Sequence, residues 1–170
     1  MAICAVSRTG ISLGDEIERM NKAFDSIIID TGGRDSKEMR KAMLKSNLVI
    51  IPTIPSQYDV PVLESMLEIY DESRQVNEKL LAFVLVNRAS PNPFLHKDLE
   101  NLKEFVAEIK TNKGLDNVIL LENSLFERQA YKKAVVEGKS IKEFCAENDK
   151  ALQDFENFYQ EILQLAENKL

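Results

Sequence analysis

The 170-residue chain has a single histidine, His96, and two cysteines, Cys4 and Cys145, far apart in sequence and in no Cys-x-x-Cys pair. A zinc site built from cysteine and histidine needs four such ligands at short spacing, so that chemistry has almost no material here. Glycine is scarce as well. Six stand at positions 10, 14, 32, 33, 114 and 138, and they never provide G-x-x-x-x-G-K-[ST] or G-x-G-x-x-G. Gly138-Lys139-Ser140 copies only the end of the first motif, because Lys133 occupies the earlier glycine position. Its surroundings read as helix, turn, helix, with Gly138 closing one helix and Ser140 to Glu143 forming a capping box for the next. An acidic pair after the first apolar run, as a phosphoacceptor receiver needs, is missing at Val6-Ser7-Arg8-Thr9. No apolar run approaches ~18 residues and nothing near Met1 resembles a signal peptide, which predicts a soluble, cytoplasmic protein with no membrane-spanning segment. Basic residues are in deficit, 22 against 28 acidic, for a net charge of −6. A chain this acidic is not a general nucleic-acid coat, although a local basic patch is compatible with it.

What is present suffices for an ordinary core: 44% of residues are hydrophobic and 29% charged. No linker, low-complexity stretch or repeat divides the chain, so residues 1–170 read as one domain. Apolar runs of strand length alternate with amphipathic stretches. The predicted strands are Ile3 to Val6, Ser26 to Ile29, Leu48 to Ile51 (stopped by Pro52), Leu80 to Val86 and Val118 to Leu121. Between them, Leu13-Ile17-Met20-Phe24, Met39-Met43-Leu44, Val60-Leu63-Met66-Leu67-Tyr70 and Leu99-Leu102-Phe105-Val106-Ile109 recur at helical spacing. Asp35 and Glu38 read as a capping box, and Gly114 as a helix stop. The tail from Ser140 reads as one long helix bent near Asn148. Strands apolar along their whole length are buried on both faces. The pattern therefore predicts a three-layer α/β/α sandwich with a mainly parallel sheet of about five strands.

Ligands of open parallel sheets bind beyond the carboxyl ends of the strands. Asp30 stands at one such end, where a carboxylate either meets a cation or backbone donors or caps the following turn. Gly32-Gly33 allows close backbone approach to a phosphate, since neither carries a Cβ. Ile51 to Asp59 is a proline-stiffened loop in which Ser56 or Asp59 can cap the next helix. Asn87 either reads a purine edge or closes an Asx turn. Residues 128 to 142 hold Arg128, Lys132, Lys133, Lys139 and Lys142 against Glu137 alone, which is either a DNA-facing cluster or a solvated helix face.

Taken together, Ile27 to Ser36 (IIIDTGGRDS), Val49 to Val60 (VIIPTIPSQYDV), Val84 to Arg88 (VLVNR) and Phe126 to Phe144 resemble the ParA/MinD family of deviant-Walker P-loop ATPases. The nearest members are the short ParA-like plasmid and chromosome partition proteins. The resemblance implies a catalytic and magnesium-side role for Asp30 as the Walker-B aspartate. It matches Gly33 to the switch glycine at the γ-phosphate and Asn87 to the asparagine that contacts adenine, with Gly32 and Arg88 as further cofactor-binding candidates beside them. Pro55, Ser56 and Asp59 fall in the segment that faces the partner subunit, and Arg128, Lys132 and Lys133 in a DNA-facing surface. It further implies ATP and Mg²⁺ as cofactors. The implied partners are a homodimer mate or an upstream ParA-like half, a partition adaptor protein and non-specific DNA.

One departure is large. The strand and lysine-bearing Walker A loop that open such proteins have no counterpart before Ile3, so the fold lacks its first strand. Without those lysines nothing neutralises the β- and γ-phosphates. The chain alone is therefore expected not to hydrolyse ATP, and the strands ending at Asp30 and Pro52 are expected either to leave a gap or to pair directly. The alternative is a non-enzymatic interaction protein on a degenerate scaffold of the same kind.

Overall fold

The computed structural model of the protein describes residues 4–7, 10–32, 35–92 and 96–169. Among these, seven α-helices surround a three-stranded sheet. In chain order a short 3-10 turn, Gly10–Ser12, leads into α1 (Leu13–Asn21), α2 (Lys37–Lys45), β1 (Leu48–Thr53), α3 (Val60–Arg74), β2 (Leu81–Val86), α4 (His96–Lys113) and β3 (Val118–Leu120). Then follow α5 (Gln129–Val136), α6 (Ile141–Phe144) and α7 (Lys150–Lys169). The strands lie in the order β1-β2-β3, all parallel, with Leu48 opposite Leu81 and Ala82 opposite Val118.

β2 explains the layering. Its six residues are all buried, and alternate side chains point to opposite faces. Ala82, Val84 and Val86 meet Leu63, Leu67 and Tyr70 of α3 and Leu102, Val106 and Ile109 of α4. Leu81, Phe83 and Leu85 meet Leu121 and the α7 side chains Phe158, Ile162 and Leu165. A parallel strand covered by helices on both sides is uniformly apolar because neither face reaches water. Each large side chain so buried contributes about 1.5–3 kcal/mol. Tyr70 brings a hydroxyl into this core and satisfies it by donating to the Leu80 carbonyl at 2.9 Å. Burial pushes its phenol up to about 12.

Helix ends follow local chemistry. The Ser140 hydroxyl accepts from the Glu143 N–H while Glu143 reaches back to the Ser140 N–H, the capping box expected of that stretch. Gly114 and Gly138, just beyond α4 and α5, have φ of 62° and 65°, a conformation that glycine adopts without a Cβ clash. At α2 the N-cap is Ser36, not Asp35: its hydroxyl accepts from the Met39 N–H. Asp35 instead bonds Arg40, whose guanidinium holds that carboxyl below its ordinary range. Glu38 accepts from the Gly10 N–H at 3.1 Å.

Several expectations are corrected. The sheet has three strands among the described residues, not five. Ser26 to Ile29 forms no strand, nor do Cys4 to Ser7, and Ile3 lies outside the described residues. A β-branched run becomes a strand only when a neighbouring backbone bonds to it, and nothing described pairs with Ile27–Ile29. Conversely, β1 continues through Pro52 to Thr53. Proline is tolerated there because β1 is an edge strand. The tail is two helices, with the chain broken between Phe144 and Lys150.

Candidate functional site

Three parallel strands bring their carboxyl ends to one edge of the sheet. The Asn87 N–H donates to the Thr53 carbonyl at 2.8 Å, tying the exits of β1 and β2 together. The Asn87 side-chain oxygen accepts from the Arg88 N–H at 3.0 Å, the local Asx arrangement. Arg88 then adopts φ 54°, uncommon for a residue with a Cβ. Its exposed guanidinium pairs with Glu127 at 3.4 Å. Beyond it, Ala89 bridges Phe126 in parallel, extending the sheet edge by one contact.

The loop after β1 places Pro55 and Ser56 half-buried. Ser56 donates its hydroxyl to the Asp59 carboxylate. Asp59 is the N-cap residue of α3, yet its side chain makes no capping bond. The sequence expectation that Ser56 or Asp59 caps this helix is thus replaced by a bond between the two. Pro61, in the first turn, removes a donor that would otherwise need a partner. Tyr58 and Val62 are 91% and 63% exposed at the same corner.

Asp30 is exposed and belongs to no strand. It lies with Ile27–Ile29 and Gly32 along one wall of a slot of about 940 Å³. β1 lines it as well, together with Met39, Met43, Leu63 and Met66 of α2 and α3. Of the two alternatives in the sequence, a gap beside β1 is what the fold contains. Space above Gly32 is open, with nothing within 4 Å of a Cβ placed there. Gly33 lies outside the described residues.

Among the described residues, the lining of this slot offers few cationic donors to a nucleoside triphosphate. Of those residues, five carboxylates line it (Glu18, Asp25, Asp30, Asp35 and Asp59) with one ammonium, Lys45; Glu18 pairs with Lys45 and Asp35 with Arg40. Phosphate oxygens need fixed positive donors. Among the described residues no group of three or more histidine, cysteine, aspartate or glutamate side chains is disposed to hold a metal ion.

The basic stretch is largely neutralised in place. Arg128 is part-buried, bonded to Asp154 at 2.8 Å and stacked over Phe126 at 5.2 Å. Lys132 pairs with Glu127, Lys139 with Glu137 and Lys142 with Glu156. Lys133 is exposed. These partners lie outside the short window that makes the stretch look basic in sequence, except Glu137. Sequence reasoning also missed Ile28 and Val62 as exposed apolar residues lining the slot, and Tyr58 as exposed on the loop after β1. One signal was available: a proline inside a strand-like run, Pro52, marks an edge.

The site thus belongs to a parallel α/β protein with its polar loops at the carboxyl edge of the sheet. No family model matches the chain. It is similar to the maintenance of carboxysome distribution protein A of Halothiobacillus neapolitanus, 24% identical over 121 residues, which is 71% of this chain and 51% of that protein. It is also similar to an uncharacterized protein of Methanocaldococcus jannaschii, 25% identical over 142 residues, 81% of this chain and 51% of that protein. The chain spans about half the length of these curated relatives. Both similarities are distant. Among the described residues no helix is long and apolar enough to cross a membrane.

Proposed function

We propose that the chain serves partition or intracellular positioning on a ParA/MinD-type scaffold, and that alone it neither binds nor hydrolyses ATP. The observation that carries the first half is the similarity over 71% of the chain to a protein that maintains carboxysome distribution. The second half rests on the absence of the Walker A lysines from this sequence and on a slot lined, among the described residues, by five carboxylates and one lysine. Asp30 keeps the magnesium-side role only when cationic groups are supplied from outside this chain, and Asn87 with Arg88 the base-facing role under the same condition. Pro55, Ser56 and Asp59 then face a partner, either a second protomer or an upstream half. DNA contact falls to Lys133 more than to Arg128 and Lys132, whose charges are already paired.

The test has two arms. Titrating the purified chain with a fluorescent ATP analogue and Mg²⁺, and measuring phosphate release, should give neither saturable binding nor turnover. Turnover abolished by Asp30→Ala would overturn the inactive reading. Deleting the gene in its host should disturb the inheritance or spacing of a plasmid or cellular compartment, and unchanged distribution would overturn the partition reading. A non-enzymatic interaction protein is the second reading, favoured by the exposed apolar residues around the slot; it expects the same partner to be recovered with and without ATP.

A further inference from the structure

The basic residues around α5 are not all neutralised in the same way. Arg128 meets Asp154 of α7 with both side chains part-buried, so that pair serves the fold. Lys139 and Lys142 each meet one carboxylate, Glu137 and Glu156. Glu127 instead holds two cations on one oxygen. Its Oε1 accepts from the Arg88 guanidinium at 3.4 Å and from the Lys132 ammonium at 3.2 Å.

The backbone fixes this carboxylate between its partners. The Glu127 N–H donates to the Ala89 carbonyl at 2.9 Å, and the Ala89 N–H donates to the Leu125 carbonyl at 3.0 Å. Arg88 is set just before Ala89 by its φ of 54° and by the Asn87 side chain. Lys132 reaches the same oxygen from the first turn of α5. Lys132 first, and Arg88 after it, hold the Glu127 carboxyl below its ordinary range, so it stays charged at neutral pH. Arg88, Glu127 and Lys132 are 57%, 42% and 62% exposed, which leaves the cluster open to solutes. Lys133, the next residue, is exposed and makes no ion pair among the described residues.

An oxygen shared by a guanidinium and an ammonium takes the place that a phosphate oxygen takes in a charge-assisted contact. Exposed pairs of this kind are weak and screened by salt, so an arriving phosphate can exchange for the carboxylate. We infer that Glu127 sets the affinity of this surface for duplex DNA: it occupies Arg88 and Lys132, and the phosphate backbone reaches them only by displacing it, while Lys133 stands open. This deepens the DNA contact proposed above and rests on it. A mononucleotide offers the same phosphate chemistry, but a polyanion neutralises several exposed cations at once and releases a counterion for each contact. In the isolated chain Arg88 thus serves the duplex, and Asn87 alone keeps the base-facing role.

The test titrates the full, isotope-labelled chain with a mixed-sequence DNA duplex by NMR at several low salt concentrations. Glu127→Gln keeps the backbone bond to Ala89 and frees two cations. It should bind about tenfold tighter or more than the wild type at the lowest salt, with the slope of log K against log salt steeper by about 1.8. Adding Arg88→Ala or Lys132→Ala to that variant should each take back about 0.9 of the slope. Glu104→Gln, an exposed change on α4, alters net charge equally and should move neither quantity. Equal affinity and slope in the wild type and Glu127→Gln would overturn this inference. The DNA contact itself stands or falls separately, with the loss of wild-type binding in Lys133→Ala. No binding by any variant overturns both. An equal gain in Glu104→Gln, or a gain for ATP without one for the duplex, also overturns the inference, since it assigns the effect to net charge or to a mononucleotide.

Discussion

β1 and β2 are parallel neighbours of equal length, similar in sequence and opposite in circumstance. All six residues of β2 are buried, between α3 and α4 on one face and α7 on the other. β1 keeps Val49, Ile51 and Thr53 on the covered face, while Ile50 is 40% exposed and Pro52 is exposed on the other. Periodicity cannot separate the two strands, since both read as short apolar runs. What separates them is the number of neighbours: β2 has a strand on each side, and β1 has one strand and one slot. Burial therefore measures position in the sheet, not hydrophobicity of the strand.

Phe83→Ala gives the largest expected effect, because its ring is fully buried between β2 and α7. Chemical denaturation should register a loss of about 3–5 kcal/mol. A loss under about 2 kcal/mol would mean that α7 does not cover this face as tightly as the burial implies. Tyr70→Phe comes next. It leaves the Leu80 carbonyl without its 2.9 Å donor, at a cost of about 1–3 kcal/mol.

The same residue predicts an alkaline limit. Burial pushes the phenols of Tyr70 and Tyr131 up to about 12, against an ordinary value of about 10. Folding thus favours their neutral form. The stability they contribute is complete below about pH 10 and is lost as pH rises toward 12. Ultraviolet titration should show two late-ionising tyrosines, and thermal melts should fall in the same window. Early ionisation of all four tyrosines would contradict this.

Ser140→Ala removes the capping box of α6 and should cost about 1 kcal/mol by denaturation, independently of either strand. Ile28→Ser should be the smallest, within about 0.5 kcal/mol, since the side chain is 96% exposed. A cost above about 1 kcal/mol would break the contrast, because Ile28 would then be packed in the isolated chain.

Much of the fold is legible in the residues alone. Leu80 to Val86 and Val118 to Leu121 announce themselves as buried strands, and the stripes through Leu63-Leu67-Tyr70 and Leu102-Val106-Ile109 name the core faces of α3 and α4. Turn and cap chemistry at Gly114, Gly138 and Ser140 is also read correctly, because such preferences act within one or two turns. The candidate site is less legible. Ile27–Ile29 carries every local mark of a strand and is none, for want of a partner backbone. Arg128 and Lys132 read as free charge and are paired, because Asp154 is distant in sequence and Glu127 lies just outside the basic window. Asp59 reads as a cap, but Ser56 competes for its carboxylate.

The sequence by itself determined composition, helix faces, caps and the apolar character of each strand, and it carried the resemblance to partition ATPases. All of these depend on side-chain chemistry at short range, which chain order preserves. Only the tertiary structure decided that the sheet holds three strands among the described residues, that β1 is its edge there, and that Asp30 lines a slot with β1. Those facts depend on which backbones meet, and a β-strand's hydrogen bonds are satisfied by a neighbour that may be far away in the chain or outside it. The scarcity of glycine excluded a phosphate loop from the start.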